Sequence, residues 1–505
     1  MNPRPYQSRC VAAICDALET HSSTLAVLAT GLGKTVVFSH LAKRWPGRVL
    51  VLAHRDELIR QAVEKLEAIT GEIVGVEMGP ESLDENGLIK PRLVVSSVQT
   101  MSRPKRQQKF RPCEFGLVII DEAHHAVARS YRDCIAHFQQ SPTLRLLGVT
   151  ATPKRSDQLA MGQVFQSVSF DYGIEPAIQD GWLVPVRQQV VTVQGLDFSG
   201  VRSVAGDLNE ADLEAIIAQE KILHATAVPT IDIVGDLPSL VFCVTVNHAK
   251  LLAEVLCRYK PESAVALDGS TPMEVRRQEI ERFRRGQVQF LCNCGLFLEG
   301  FDAPNTAAVI MARPTKSLAL YTQVLGRGTR PLPGIVDTHA ESEPHIRRQA
   351  IADSAKPSML VVDFVGNSGR HKIISAADLL GGKYGEPVRQ YAAQTAEAEG
   401  HAMLIDDQLA RAADELALLR EIEERKRRAA VKAQAEYAMR ESSPFGYSAP
   451  QTQATTAPID PPTEKQGKYL VYRLGWTWEQ VGRISRRQAS AIIGKSKETA
   501  GDVAR

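Results

Sequence analysis

The sequence predicts an α/β protein with two parallel-sheet domains in tandem and a helical C-terminal extension. Three observations carry this. Short, unbroken apolar runs such as Leu25-Ala26-Val27-Leu28 alternate with helical patterns through the first third of the chain. The same rhythm resumes at Ser239, and beyond Gly366 it gives way to charged helical stretches. Short apolar strands separated by helices imply a parallel sheet covered on both faces. Ligands of such sheets bind at the carboxyl ends of the strands. A chain of 505 residues has room for two or three domains, each with its own core.

Bulk properties narrow the class. A net charge of +2 gives no global pull towards nucleic acid or membrane, so any anion-binding surface must be local. The eight cysteines show no zinc-ligand spacing and read as reduced core thiols. No apolar run approaches membrane-spanning length, and the N-terminus lacks the layout of a signal peptide. A cytoplasmic protein is expected.

The first domain is expected over residues 1–185. Arg4-Pro5-Tyr6-Gln7 precedes a helical pattern at Val11, Ile14 and Leu18. The run ending at Leu28 breaks into Ala29-Thr30-Gly31-Leu32-Gly33-Lys34-Thr35, and a helical pattern follows at Val36, Val37 and Leu41. Glycines there let backbone N–H groups close around a chain of oxyanions, and the helix N-terminus adds positive potential. Lys34 can reach terminal phosphates, and Thr35 offers a hydroxyl to Mg²⁺. The full pattern wants glycine where Leu28 stands, so Gly-Lys-Thr alone fits an ordinary strand–helix turn equally well.

Residues at later strand ends favour the phosphate reading. Asp121-Glu122-Ala123-His124 directly follows Leu117-Val118-Ile119-Ile120. Paired acids at a strand end can hold hydrated Mg²⁺ and deprotonate an attacking water; the plain alternative is an exposed acidic turn. Ala53-His54-Arg55, Ser97-Val98-Gln99-Thr100 and Thr150-Ala151-Thr152-Pro153 end three further strands. Arg55, Gln99 and Thr100 offer guanidinium, amide and hydroxyl donors suited to a sugar–phosphate backbone.

Residues 186–235 read as a connector, with a strand-like alternation at Val190-Val191-Thr192-Val193. The second domain is expected over 236–370, and no second glycine cradle occurs in it. It offers instead Glu299-Gly300-Phe301-Asp302 and Gln323-Val324-Leu325-Gly326-Arg327-Gly328-Thr329-Arg330. Arg327 and Arg330 share a helix face if that segment is helical. Surface arginine pairs are usually solvated, yet phosphoryl transfer needs positive charge on the far side of the γ-phosphate.

In this order, the motifs from Arg4 to Arg330 resemble those of superfamily 2 helicases. The branch closest in look holds restriction-enzyme motor subunits and related bacterial and phage-type DNA helicases. The resemblance runs to about Val365 and implies two RecA-like domains with ATP and Mg²⁺ in the cleft between them. By that likeness Arg4 and Gln7 read adenine, while Thr30, Gly31, Leu32, Gly33 and Lys34 hold the phosphates. Thr35 and Asp121 position Mg²⁺, and Glu122 activates water. Gly300 and Asp302 touch the nucleotide, and Arg327 and Arg330 act as arginine fingers. His124, Thr150, Thr152 and Gln323 couple the nucleotide site to the strand. Leu298 stands where relatives usually carry threonine, which puts coupling at that position in doubt. The implied partner is DNA (single-stranded, forked or branched) in preference to RNA. A motor subunit of a restriction or nuclease assembly and an RNA helicase are the enzymatic alternatives, and an ATP-switched DNA scaffold the non-enzymatic one.

The remainder divides into a charged helical extension over 371–440, a linker over 441–462 rich in Ser, Pro and Thr, and a small helical module over 463–505. Leu409, Ala412, Leu416 and Leu419 follow a heptad-like spacing. Arg425-Lys426-Arg427-Arg428 fits a solvated helix face or a phosphate contact. In the module two short helices are expected to bury Tyr469, Tyr472, Trp476 and Trp478. Its expected role is docking DNA or a replication, recombination or restriction partner.

Overall fold

The computed structural model describes residues 2–83, 90–151, 161–204, 206–298, 300–301, 303–367, 371–399, 401–441, 460–482 and 484–501. Thr152, Asp302 and most of the expected linker lie outside the described residues. The chain divides into a unit over residues 1–410 and another over 411–505.

The first unit holds two seven-stranded sheets. The first comprises β1 (Ser23–Leu28), β2 (Val49–Ala53), β3 (Val74–Glu77), β4 (Leu93–Ser97), β5 (Leu117–Asp121), β6 (Arg145–Thr150) and β7 (Ser167–Tyr172). Its order is β3-β4-β2-β5-β6-β1-β7, parallel throughout. Every residue of β1, β2, β4 and β5 is buried. That is why these strands read as continuous apolar runs rather than alternating ones. Because β5, β6 and β1 are neighbours, the carboxyl ends bearing Asp121, Thr150 and the glycine cradle stand side by side. Around the sheet lie α1 (Pro5–Thr20), α2 (Lys34–Arg44) and α3 (Asp56–Thr70). Pro5 presets the first turn of α1. Asp56 and Glu57 sit at the positive end of the α3 dipole, and Gly71 ends that helix in the left-handed conformation.

The second sheet comprises β8 (Val186–Asp197), β11 (Ser239–Phe242), β12 (Ala264–Leu267), β13 (Phe290–Asn293), β14 (Ala308–Met311), β15 (Met359–Asn367) and β16 (Met403–Leu404). A small hairpin, β9 (Ser203–Val204) with β10 (Asp207–Leu208), follows β8. The sheet order is β12-β13-β11-β14-β15-β8-β16, parallel except for β16.

Here the expected boundaries need correction. Residues 186–235 are no free connector: β8 pairs with β15 from Val186↔Met359 to Thr192↔Val365. The helices Glu210–Ile217 and Glu220–Val234 place Leu213, Ile217, Leu223 and Ala227 in the second domain's core. Part of the expected extension joins the same domain, since β16 hydrogen-bonds to β8. The alternation at 190–193 marks a strand but cannot name its partner far along the chain.

The second unit ends in three helices, Glu464–Leu474, Trp478–Val481 and Arg486–Gly501, where two were expected. Their buried centre is Leu470, Val481 and Ala489, with Trp476 and Trp478 partly buried against it. Tyr472 is 60% exposed, so the aromatics are not all sequestered.

Cys10, Cys134, Cys243 and Cys292 are buried thiols, but Cys113 is exposed and is not a core residue. Burial pushes Cys10 and Cys134 up to about 12. Among the described residues no cluster could hold a metal through three His, Cys, Asp or Glu side chains, and no helix is long and apolar enough to cross a membrane.

Candidate active site

The cradle is built by two glycines in the left-handed region, Gly31 at φ 93° and Gly33 at φ 75°. A side chain there would cost roughly 1–2 kcal/mol per residue. Gly33 is also the N-cap of α2, so the free N–H groups of that helix start at the cradle. α1 clamps the cradle from behind. Tyr6 OH donates to the Leu32 carbonyl at 2.9 Å and Gln7 Nε2 to the same oxygen at 3.0 Å. The Arg4 N–H donates to Gln7 Oε1 at 2.9 Å and fixes that amide. Leu28, where the full pattern has glycine, is fully buried at the end of β1. Thr30 is buried and Thr35 half-buried.

β5 delivers the acids. Glu122 sits at φ 50°, a left-handed conformation that a non-glycine residue holds only under constraint. Its N–H donates to Asp121 Oδ1 at 3.0 Å, tying the two acids together. Lys34 Nζ lies 3.2 Å from Glu122 Oε1, with side-chain exposures of 12% and 6%. Glu122 Oε2 is buried and accepts no hydrogen bond among the described residues. His124 Nδ1 is 3.5 Å from that oxygen and 3.3 Å from Thr150 Oγ1. A buried carboxylate held between a lysine and a histidine has the layout of a general base.

The second domain meets this site through the helix Leu318–Gly328. A Cβ on Gly326 would stand 2.3 Å from Thr30 Cβ, so only glycine permits this approach. The helix ends at Gly328, and Arg330 lies beyond it, so Arg327 and Arg330 do not share a helix face as expected. Their roles divide accordingly. Arg330 Cγ is 3.0 Å from where a Gly31 Cβ would be, flat against the cradle. Arg327 donates to the carbonyls of Phe301, at 2.8 Å, and Leu298, bracing the turn before β14. Gln323 is buried on the same helix. Lys356 Nζ holds the Arg330 carbonyl at 2.6 Å and the Pro304 carbonyl at 2.8 Å. Burial, with the Arg330 charge nearby, pulls Lys356 down to about 7.

Further contacts close the two domains on one another. Arg4 pairs with Asp337 at 2.8 Å and Glu57 with Arg276 at 2.5 Å. Gln61 donates to the Gly300 carbonyl, and a Cβ on Gly300 would stand 3.1 Å from Glu57 Cβ. Gly300 thus meets the first turn of α3. Trp182 lies under both Arg4, at 5.3 Å, and Arg347, at 4.2 Å. Gly326, Asp337, Arg276 and Trp182 were not among the expected site residues. Of these, Gly326 alone left a sequence signal, a glycine inside a helical pattern.

The expected strand-binding residues separate on inspection. Gln99 is exposed and donates to the His54 carbonyl at 2.9 Å. Arg55 reaches the Gly295 carbonyl of the second domain at 3.3 Å. Thr100 is 4% exposed, and its hydroxyl accepts from Ser97 Oγ at 2.7 Å and from Gly79 N–H at 3.0 Å. It therefore secures the loop after β4 and cannot face a strand.

Comparisons with known proteins bear on both sides of this cleft. Residues 1–155 match the family described as Type III restriction enzyme, res subunit, and residues 230–331 the Helicase conserved C-terminal domain. The chain is 31% identical over 404 residues to the Saccharomyces cerevisiae protein named Putative ATP-dependent helicase IRC3, covering 75% of this chain and 53% of that one. It is 25% identical over 368 residues to the Escherichia coli type I restriction enzyme EcoAI endonuclease subunit, covering 65% and 44%. The fragment structure of a putative HsdR subunit of a type I restriction enzyme from Vibrio vulnificus YJ016 shares the fold. Its TM-score is 0.52 at 22% identity, over 76% of this chain and 67% of that one. The chain spans about half the length of the curated relatives it matches. The two domains that form the cleft thus match, one each, the restriction-enzyme res-subunit model and the helicase C-terminal model, and together they share the tandem parallel-sheet fold of the HsdR fragment.

Proposed function

We propose that this chain is a nucleic-acid-dependent ATPase that works as a DNA helicase or translocase. The observation that carries the reading is Arg330, from the second domain, lying against Gly31 of the phosphate cradle in the first. The residues present fit ATP and Mg²⁺: two left-handed glycines, a helix N-terminus, Lys34, and the adjacent buried acids Asp121 and Glu122. Thr35 and Asp121 would hold Mg²⁺, which supplies charge neutralisation at the terminal phosphates.

The proposed residue roles join this geometry to the family resemblance. Gln7, clamped to the cradle, reads adenine with Arg4. Lys34 leaves Glu122 for the phosphates when they arrive, and Glu122 is then released to take a proton from the attacking water. Arg330 supplies positive charge on the far side of the γ-phosphate, and Arg327 holds the adjacent turn. His124, between Glu122 and Thr150, passes the state of the acid to the strand ends. Arg55 and Gln99, at the ends of β2 and β4, grip the sugar–phosphate backbone. Opening and closing of the cleft alternates the two domains' grip on the strand and moves the chain along it. DNA is chosen over RNA on similarity to restriction-enzyme subunits. That similarity also favours a second reading, the motor of a restriction assembly whose cutting subunit is supplied elsewhere. The module over 463–505 would dock that partner or DNA.

ATP turnover and strand separation on forked DNA, three-way and four-way junctions and RNA duplex test the proposal. The expected result is turnover stimulated by DNA substrates. Stronger stimulation by RNA duplex would overturn the choice of DNA, and no stimulation by any of them would overturn the motor.

A further inference from the structure

The aim of the Arg330 side chain depends on the backbone that carries it. The helix Leu318–Gly328 has ended before that point, so no helical ladder takes up the carbonyls of Thr329 and Arg330. Two contacts hold them instead. The Val184 N–H donates to the Thr329 carbonyl at 2.8 Å, and Lys356 Nζ donates to the Arg330 carbonyl at 2.6 Å. The first is an ordinary main-chain bond. The second comes from a charged side chain between the helix Pro344–Ala352 and β15, in a stretch with no apolar pattern.

A lysine in such a stretch is ordinarily solvated, yet Lys356 is 3% exposed. Its two described acceptors are main-chain carbonyls, that of Arg330 and, at 2.8 Å, that of Pro304. The root of the side chain is fixed as well as its tip. Pro357 restricts the preceding residue to extended conformations, and the Lys356 N–H donates to Ser354 Oγ at 3.2 Å. Burial and the neighbouring Arg330 charge pull the ammonium down to about 7, so the charge is kept here at a cost. An unbranched methionine would fill the space with no charge to desolvate, so packing alone does not ask for lysine. What lysine adds is a charge-assisted grip on carbonyls, roughly twice as strong as a neutral hydrogen bond.

We infer that Lys356 is a positioning residue for ATP hydrolysis: it anchors the Arg330 main chain and so sets the aim of the Arg330 guanidinium at the γ-phosphate. The other end of the anchor is the turn before β14. Arg327 braces that turn at Phe301, at 2.8 Å, and Lys356 joins it at Pro304. One buried ammonium thus ties the arginine that faces the cradle to the turn that follows Gly300. The inference rests on the motor reading, in which Arg330 supplies charge to the γ-phosphate. A purely structural staple would make the same two bonds, so the test must separate the two roles.

Two arms test this on the full chain. In the first, phosphate release at saturating single-stranded DNA is measured against ATP concentration for Lys356→Met, Lys356→Gln, Arg330→Ala and the double variants, with thermal melting of each. Lys356→Met should lower kcat about 10–100-fold and leave KM for ATP within about twofold, because the cradle that binds ATP keeps its contacts. Lys356→Gln, which keeps N–H donors without the charge, should lose less; if Lys356→Met does not fold, it carries the same comparisons. In the Arg330→Ala background either change should cost less than about twofold more, because the side chain being aimed is already gone. A loss of the same size in that background, a loss seen in KM alone, or wild-type kcat in a folded Lys356→Met would overturn the inference. In the second arm, the crystal structure of Lys356→Met should show Arg330 displaced from Gly31, and Arg330 unmoved would overturn it. Wild-type turnover in Arg330→Ala would instead defeat the role proposed for that arginine, and the second arm alone then decides whether Lys356 places it.

Discussion

Gly326→Ala places one methyl group at the contact between the two domains. The added Cβ would stand 2.3 Å from Thr30 Cβ, where ordinary contact begins at 3.4 Å, so the helix Leu318–Gly328 must retreat by about 1 Å. Arg330 follows directly on that helix and retreats with it. A misplacement of this size in a catalytic group costs about 100-fold in rate. Alanine is otherwise the better helix former by about 1 kcal/mol, so the second domain should be no less stable than before. The assay pairs steady-state phosphate release at saturating DNA with binding of a fluorescent ATP analogue and thermal melting. Turnover should fall about 100-fold while the melting temperature holds or rises, because the core of each domain is left intact. Adding Thr30→Gly should recover part of the loss by removing the opposing Cβ. Wild-type turnover in Gly326→Ala would refute the claim that this approach completes the active site.

Other perturbations follow from the same geometry. Glu122→Gln should keep ATP binding while lowering phosphate release by about 10²–10⁴-fold, measured by single-turnover hydrolysis; near-normal turnover would exclude Glu122 as the base. Arg330→Ala should lose about 10³–10⁵ in rate with little change in nucleotide affinity, and Arg330→Lys should restore only part of it. Asp363 gives a pH test. Burial raises its carboxyl from 3.8 to about 6, so between those values the folded chain binds the extra proton. Stability should therefore fall as pH rises from about 4 to about 6 and stay reduced above, by on the order of 3 kcal/mol. Asp363→Asn should flatten that slope in denaturant titrations at a series of pH values; an unchanged slope would assign the pH dependence to another group.

Much of this was legible in the sequence because it is local. A buried parallel strand is mostly apolar along its length, so β1, β2, β4 and β5 appear as apolar runs with polar residues at their ends. The cradle declares itself through glycines that the backbone conformation demands, and Asp121-Glu122 through its place at a strand end. What could not be read depends on partners distant in the chain. The pairing of β8 with β15 converts an apparent connector into part of a sheet, and no local pattern at 186–197 names that partner. Thr100 looks like a donor for a strand until Ser97 and Gly79 take up its hydroxyl. Arg327 and Arg330 look equivalent at a spacing of three, but the helix stops between them. The division of labour between bracing a turn and facing the cradle comes from that stop.

The central claim is that the cleft hydrolyses ATP in response to nucleic acid. Phosphate release by the full chain, measured with and without single-stranded DNA and repeated with Lys34→Ala, tests it most directly. Release should be slow alone, rise with added DNA and vanish in Lys34→Ala. A rate indifferent to DNA, or one that survives loss of Lys34, would contradict it.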